Sequence, residues 1–253
     1  MTAELRDVRG TLHRFERVPR RVVSLVPSIT ETLFDLGVGD AVVGITDWCI
    51  FPRGLDLPRV GGTKNPRVDA IRALAPDLVH VNLEENVRRH ADEIAAFAPV
   101  FVTEPKSPRD VVALLGDLGV IHGCQARAAE LAESLEAELA HPPHAPFTFA
   151  CPIWKNPWMW CGGDTYVSAL VESVGGRNIL GGRDRYPTVD PREIAELKAD
   201  VIFLPDEPYA FTERDAEALR ATFGRIVGPF PGHLFTWHGT RTLLGLRALR
   251  EWL

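Results

Sequence analysis

Hydrophobic and polar positions along this chain follow two alternating rhythms. Short runs of consecutive apolar residues fall at 22–26, 41–46, 78–81, 100–103, 147–153 and 201–204, with a last, shorter one at 234–236. Runs of that length, rich in Val, Ile and Phe and bounded by Gly, Pro or Asp, predict buried strands. Between them, apolar residues recur every three or four positions, which predicts helices after Ser28 and at 68–74, 87–97, 167–174, 191–197, 213–222 and 242–253. Strands alternating with helices in this way call for parallel sheets covered by helices on both faces.

Local signals sharpen the boundaries. Ser28 and Glu31 have the spacing of a capping box, and the helix they open closes at Gly37 to Gly39. Pro108 after Ser107 suits a first helical position, where a missing N–H costs nothing. From 111 to 140 the only breakers are Gly116, Gly119 and Gly123, so this stretch reads as one long helix preceded by a shorter one. Residues 154–164 read as an aromatic, glycine-rich loop.

The chain also repeats itself. Leu74-Ala75-Pro76-Asp77-Leu78-Val79 is answered by Leu197-Lys198-Ala199-Asp200-Val201-Ile202, and each copy follows a helix opened by a Val-Asp pair, Val68-Asp69 and Val189-Asp190. Upstream, Leu33 to Gly39 is echoed by Leu170 to Gly176, a helix ending on glycines that can take positive φ. These features predict an α/β protein of two pseudo-repeated lobes with mostly parallel sheets, joined by one long α-helix, with a ligand cleft between the lobes. The expected boundaries are an N-terminal extension at 1–20, an N-terminal lobe at 21–105, connecting helices at 106–142 and a C-terminal lobe at 143–253. A stiff helical connector predicts little hinge closure.

Composition narrows the function. The 253 residues are 45% hydrophobic, enough for a large core, and the formal net charge of -6 offers no basic face to nucleic acid. Cys49, Cys124, Cys151 and Cys161 lack zinc-site spacing and read as buried thiols; export would make Cys151 and Cys161 the pair to join. No apolar run approaches the roughly 20 residues of a membrane span. Residues 1–20 are polar and Arg-rich, without a signal-peptide core, so the chain as written is expected in the cytoplasm.

Catalytic signatures are missing. There is no Gly-x-Ser-x-Gly elbow; Gly61-Gly62-Thr63-Lys64 lacks the spacing of a phosphate loop; Gly37-x-Gly39 follows a helix rather than a strand. Two prolines inside His141-x-x-His144 prevent the helical face that zinc-protease histidines need. The chain is expected not to be an enzyme, with no intrinsic cofactor and no resident metal.

What remains is a set of aromatics beside strand ends, where open α/β sheets bind ligands: Trp48, Trp154, Trp158, Trp160, Tyr186 and Trp237. Trp48 and Trp237 are the stronger ligand candidates, one from each half, whereas Trp158 and Trp160 suit local packing. Trp237-His238-Gly239-Thr240-Arg241 joins an indole, an imidazole and a guanidinium ahead of the last helix. Arg241 and Thr240 suit a carboxylate, amide or phosphate; His238 is either a ligand contact or a hydrogen-bonded structural residue. Counting from Asp77 and Asp200, Glu84 and Glu207 fall at matching positions past matching strands, with Glu85 as the neighbouring choice. Two such carboxylates are either solvated surface acids or matched negative points for a two-fold partner.

Taken together, Arg21-Val22-Val23-Ser24-Leu25-Val26-Pro27-Ser28-Ile29-Thr30-Glu31, Leu74 to Val79, Gly175-Gly176-Arg177-Asn178-Ile179-Leu180 and Ala199 to Ile202 resemble the substrate-binding proteins of cobalamin and iron-siderophore ABC transporters. The resemblance covers about residues 8–253. It implies a periplasmic or extracytoplasmic, monomeric binder of a metal chelate that reaches the membrane only through a dimeric ABC permease. It further implies ligand contacts from Pro27, Ser28, Trp48, Thr63, Tyr186, Pro187, Trp237, His238, Thr240 and Arg241, and permease docking through Glu84 or Glu85 and Glu207. The ligand it points to is a corrinoid of the cobalamin type. Ferric siderophore or haem is the alternative cargo, and a cytoplasmic enzyme or sensor on the same scaffold is the alternative of another class. The Trp154 to Trp160 segment has no place in the vitamin B12 binder's pattern.

Overall fold

The computed structural model describes residues 3–253. The chain divides into two compact units. One takes everything described up to Pro105 together with Val111–Ser134; the other takes Lys106–Asp110 and Leu135–Leu253.

The first unit opens on a hairpin of β1 (Ala3–Arg6) and β2 (Leu12–Phe15), whose turn is closed by the Asp7 carboxylate accepting from the amides of Arg9 and Thr11. This hairpin lies inside the segment expected only as a polar extension. Then follow β3 (Val22–Ser24), α1 (Pro27–Asp35), β4 (Val42–Ile45), α2 (Val68–Ala73), β5 (Leu78–Asn82), α3 (Arg88–Ala95) and β6 (Val100–Thr103). The four strands β3 to β6 make one parallel sheet in the order β4-β3-β5-β6. Their continuous apolar runs serve two faces, because successive side chains point to opposite sides. Val22, Leu78 and Phe101 enter a core with Leu114, Leu118 and Ile121, while Val23, Val79, Val100 and Val102 enter another with Ile71 and Ile94.

α1 starts two residues earlier than its cap signal implied, with the N-cap at Val26 instead of Ser28. Pro27 takes the first helical position, Val26 is the N-cap, and that cap makes no side-chain hydrogen bond. The expected capping box is therefore absent, since proline's fixed φ already favours the helical start. Residues 108–139 form two helices of equal length, α4 (Pro108–His122) and α5 (Gln125–Leu139), 15 residues each, instead of a short and a long one. Gly123 breaks them with φ +67, and a Cβ on Gly119 would meet the Ala128 methyl at 2.5 Å.

The second unit contains β7 (Phe147–Ala150), β8 (Pro152–Trp154), β9 (Met159–Trp160), α6 (Tyr166–Glu172), β10 (Gly176–Asn178), α7 (Pro191–Glu196), β11 (Val201–Pro205), α8 (Glu213–Arg220), β12 (Arg225–Phe230), α9 (His233–Thr236) and α10 (Arg241–Trp252). Its main sheet is parallel in the order β10-β7-β11-β12. In chain order that is second-first-third-fourth, the same arrangement as in the first unit. One face carries Ile202, Leu204, Ile194 and Trp160. Phe149, Phe203, Phe235, Phe230 and Trp252 form a chain of aromatic contacts with ring centroids 4.5 to 6.0 Å apart.

Two expectations for this half are corrected. Residues 154–164 are not all loop: β8 and β9 pair as an antiparallel hairpin. Residues 234–236 belong to the short helix α9, and the fourth strand is β12. Gly228-Pro229 hid that strand in the sequence. Gly228 takes φ +123 and the β11–β12 register shifts between Phe203 and Pro205, so an irregularity carries the strand past a proline that a regular ladder would reject.

The repeat reaches down to backbone devices. Ala75 (φ 44) and Lys198 (φ 54) stand at matched positions as left-handed non-glycine residues just after α2 and α7. Asp77 accepts from the amides of Arg20 and Arg21 at 2.9 Å, and Asp200 accepts from the amide and hydroxyl of Thr148 at 2.7 Å. Each aspartate thus ties the start of the third strand to the start of the first. The amide and hydroxyl bonds from Thr148 pull the Asp200 carboxyl below the usual carboxylate range.

Candidate functional site

In each unit the sequence-nominated residues sit on loops at the carboxyl ends of the parallel strands, the edge where open α/β sheets place ligands. In the first unit these loops follow β3, β4 and β5. Pro27 and Ser28 lie buried in the first turn of α1. Trp48, beyond β4, is 64% exposed, and its loop is hydrogen-bonded beneath it. Cys49 is buried against the hydroxyls of Thr30 and Thr46 at 3.1 and 3.2 Å, and Arg59 donates to the carbonyls of Thr46 and Cys49 at 2.8 and 2.9 Å. Burial pushes the Cys49 thiol up, so it stays protonated. The Trp48 indole nitrogen passes 3.4 Å from where a Cβ on Gly62 would stand, which joins this loop to the one bearing Thr63.

Asn86 organises the same edge and carried no sequence signal beyond its position after Glu84-Glu85. Its side-chain nitrogen donates to the carbonyls of Leu25 and Thr63, both at 3.0 Å, and its oxygen accepts from the Asn82 amide at 2.8 Å. One side chain thus ties together the ends of β3 and β5 and the Thr63 loop. Asn82 accepts from the amides of Glu84 and Glu85 at 2.8 and 3.2 Å, an Asx turn that fixes both glutamates' backbone, and the Lys64 ammonium donates to the Glu84 carbonyl.

In the second unit the loops after β11 and β12 bring together Glu207, Thr236, Trp237 and Arg241, with His233 added by the structure. The Thr236 hydroxyl donates to Glu207 Oε1 at 2.9 Å. The Arg241 guanidinium is buried, lies 5.6 Å from the Trp237 ring centroid, and meets His233 Nδ1 at 3.2 Å. Burial raises the Glu207 carboxyl above its ordinary value, countered by bonds from Thr236 and Trp237 and by the charge of Arg241. Burial and Arg241 together hold His233 low. Gly232 lets this arrangement close, because a Cβ there would stand 2.3 Å from Glu207 Cγ. His238 is interior: its ring meets Tyr166 edge-on at 6.3 Å, and burial lowers it to about 4, so it is neutral at pH 7. Thr240 is the N-cap residue of α10.

Tyr186 and Pro187 belong to a different loop, between β10 and α7. Main-chain bonds hold that loop against the end of the β8–β9 hairpin: Trp160 N to Pro187 O at 3.1 Å, Gly162 N to Arg185 O at 2.8 Å and Gly163 N to Arg183 O at 2.9 Å. Gly162 and Gly163 permit the approach, since a Cβ on either would stand 2.2 Å from a carbonyl oxygen of the loop. Trp158 and Trp160 pack locally, stacked at 5.8 Å, with Trp158 also stacked on Phe211 at 5.7 Å. Trp154 meets Tyr209 edge-on at 5.4 Å and stays 43% exposed.

A duplicated α/β unit with aromatic and polar loops on the carboxyl edge of each parallel sheet defines a ligand-binding protein. The chain belongs to the periplasmic binding protein family, whose model matches residues 22–222. An uncharacterized ABC transporter substrate-binding lipoprotein, YvrC of Bacillus subtilis (strain 168), is 24% identical over 253 residues, covering 93% of this chain and 80% of that protein. A vitamin B12-binding protein of Pectobacterium atrosepticum is 27% identical over 200 residues, 74% of this chain and 72% of its own. The fold is shared with the apo periplasmic heme-binding protein RhuT from Roseiflexus sp. RS-1, at TM-score 0.78 and 23% identity over 91% of this chain and 96% of that one. The family is one of solute-binding proteins that serve transport, and no helix among the described residues is long and apolar enough to cross a membrane.

Proposed function

We propose that this protein captures a corrinoid of the cobalamin type outside the cytoplasm and delivers it to a dimeric ABC permease. The observation that carries the choice of cargo is the placing of opposite charges beside Trp237 at the carboxyl edge of the second sheet. Glu207 is half-buried and bonded by Trp237, and Arg241 is buried with its guanidinium 5.6 Å from the Trp237 ring centroid. A primary amide answers both charges, its carbonyl accepting from the guanidinium and its NH2 donating to the carboxylate. Corrinoids carry several such amides around their rim. A carboxylate would satisfy Arg241 and be repelled by Glu207.

In this reading Trp48 supplies aromatic surface from the first unit and Tyr186 from the second, suited to a large, flat ligand, while the buried Trp237 backs the charged pair in its own unit. Pro27, Ser28 and Thr63 supply the backbone edge of the first sheet, and Pro187 and Thr240 that of the second. In this reading His238 supports the edge from inside rather than touching metal. Of the three glutamates expected to dock, Glu84 and Glu85 keep that role, while Glu207 is assigned to the ligand by its half-buried carboxyl. Haem is the second reading, favoured by the heme-binding relative of shared fold and by a buried arginine suited to propionate.

Calorimetry of the purified chain against cyanocobalamin, cobinamide, haem and a panel of ferric siderophores tests the proposal. One-to-one corrinoid binding that Trp48→Ala and Trp237→Ala each weaken supports it. Haem binding without corrinoid binding transfers the cargo to haem, and silence across the panel removes the metal-chelate reading.

A further inference from the structure

The chain's four cysteines are all free thiols, and they are distributed unevenly. Cys49 and Cys124 lie in the first unit, each with its own surroundings. Cys151 and Cys161 lie in the second, both with zero exposure, directly before β8 and directly after β9. Pro152 pairs with Trp160 in the antiparallel hairpin, so the next pair outward is Cys151 opposite Cys161, and the Cys161 amide donates to the Cys151 carbonyl at 2.9 Å.

Residues directly opposite in antiparallel strands have Cα atoms about 4.5 to 5.5 Å apart, within the roughly 4.4 to 6.8 Å that a disulfide spans. Nothing in the ligand-binding reading uses two thiols here. From the hairpin register and the backbone bond between the two residues, we infer that Cys151 and Cys161 are a redox pair that closes into a disulfide when the chain folds in an oxidising compartment. The sulfur atoms join with loss of both S–H bonds, and the two electrons and two protons released convert the disulfide of an oxidant, either oxidised glutathione or a thiol–disulfide oxidoreductase, to two thiols.

Order of events follows from burial. The thiolate is the attacking species, and in the folded state burial and the neighbouring Cys161 thiol push the Cys151 thiol up. With neither sulfur open to solvent, oxidation belongs to folding, before the hairpin closes. The bond then staples the base of the hairpin whose end, Gly162-Gly163, carries the ladder to the Tyr186 loop. It also makes the chain's thiol content a record of the compartment in which it folded, whatever its cargo.

The test needs no ligand. The full chain is unfolded under reducing conditions, refolded in a glutathione buffer of secretory-compartment poise, acid-quenched, unfolded again and alkylated with maleimide. Two labels, on Cys49 and Cys124, are expected, with a Cys151–Cys161 cross-linked peptide lighter by two hydrogens than its reduced parts. Cys151→Ser, read by the same mass analysis whether or not it folds well, is expected to take three labels with no cross-link. The folded, reduced chain placed in the same buffer is expected to stay at four labels until denaturant opens it. Four labels after oxidative refolding, or cross-links through Cys49 or Cys124, overturn the inference.

Discussion

Two buried histidines make stability strongly dependent on pH below neutrality. His122 in the first unit and His238 in the second are each lowered to about 4, mainly by burial. In the unfolded chain a histidine titrates near 6.5, so below that value the unfolded state binds protons that the folded state refuses. Stability from these groups is therefore full above pH 6.5 and is lost as pH falls toward 4. At pH 5 each costs about 2 kcal/mol relative to pH 7, at roughly 1.4 kcal/mol per pH unit. His80 adds to the loss in the first unit, because its Nε2 lies 3.0 Å from His122 Nε2 and burial and that neighbour hold it well below its ordinary value. Glu207 acts in the opposite direction, since a raised carboxyl takes up its proton earlier in the folded chain. Urea unfolding at pH 7 and pH 5, followed by circular dichroism and fitted as one or two transitions, measures the effect. The wild type is expected to lose about 2 kcal/mol in the second unit and more in the first, with His238→Gln removing most of the pH dependence of the second. Equal urea midpoints at the two pH values would refute the assignment of these histidines as buried and neutral.

Three further outcomes follow from particular contacts. Trp48→Ala removes an indole that is 64% exposed, so it should weaken ligand binding by about tenfold or more while moving the melting temperature hardly at all, a split that calorimetry and a thermal melt resolve. Lys198→Gly relieves a left-handed residue at φ 54 and should stabilise the second unit by about 0.5 to 1 kcal/mol in urea, after the glycine's extra unfolded-state entropy is subtracted. Gly162→Ala drives a methyl to 2.2 Å from the Arg183 carbonyl, so it should cost about 2 kcal/mol or more and loosen the Tyr186 loop, read as faster amide exchange at Arg185 and Tyr186.

The sheets were legible because burial on two faces demands apolar runs: 78–81, 100–103 and 201–204 became strands, and 22–26 supplied β3 with its first three residues. β12 was not, because Gly228 and Pro229 break the run that a regular strand would show. Misreading it moved the fourth strand onto α9, where Leu234 and Phe235 are apolar for the sake of packing rather than pairing. Among the site residues, large or charged side chains such as Trp48, Trp237 and Arg241 announced themselves by type. Asn86, Gly62, Gly162 and Gly232 did not, since their work is to tie loops together or let them approach, and that depends on what faces them in three dimensions. Glu207 was found through the repeat, but its surroundings could be read only from the fold: the two positions match in sequence, while Glu207 alone is flanked by Thr236, Trp237 and Arg241.

That asymmetry separates what the duplication kept from what it released. Devices that set the backbone are paired: a left-handed residue at Ala75 and Lys198, and an aspartate tying two strand starts at Asp77 and Asp200. Each answers a demand made by sheet topology, which is the same in both units, so each has the same solution twice. The carboxyl edges, which the proposed function assigns to a ligand instead, differ throughout. The first offers an exposed indole and loops drawn together by a buried asparagine; the second offers an arginine and a glutamate beside an indole, with Tyr186 on a loop that rests on glycines. If the proposed corrinoid reading holds, Trp48 and Arg241 should make contributions that substitution can separate: Trp48→Ala lowering affinity for every planar chelate alike, and Arg241→Gln lowering it only for those whose rim carries groups that accept hydrogen bonds.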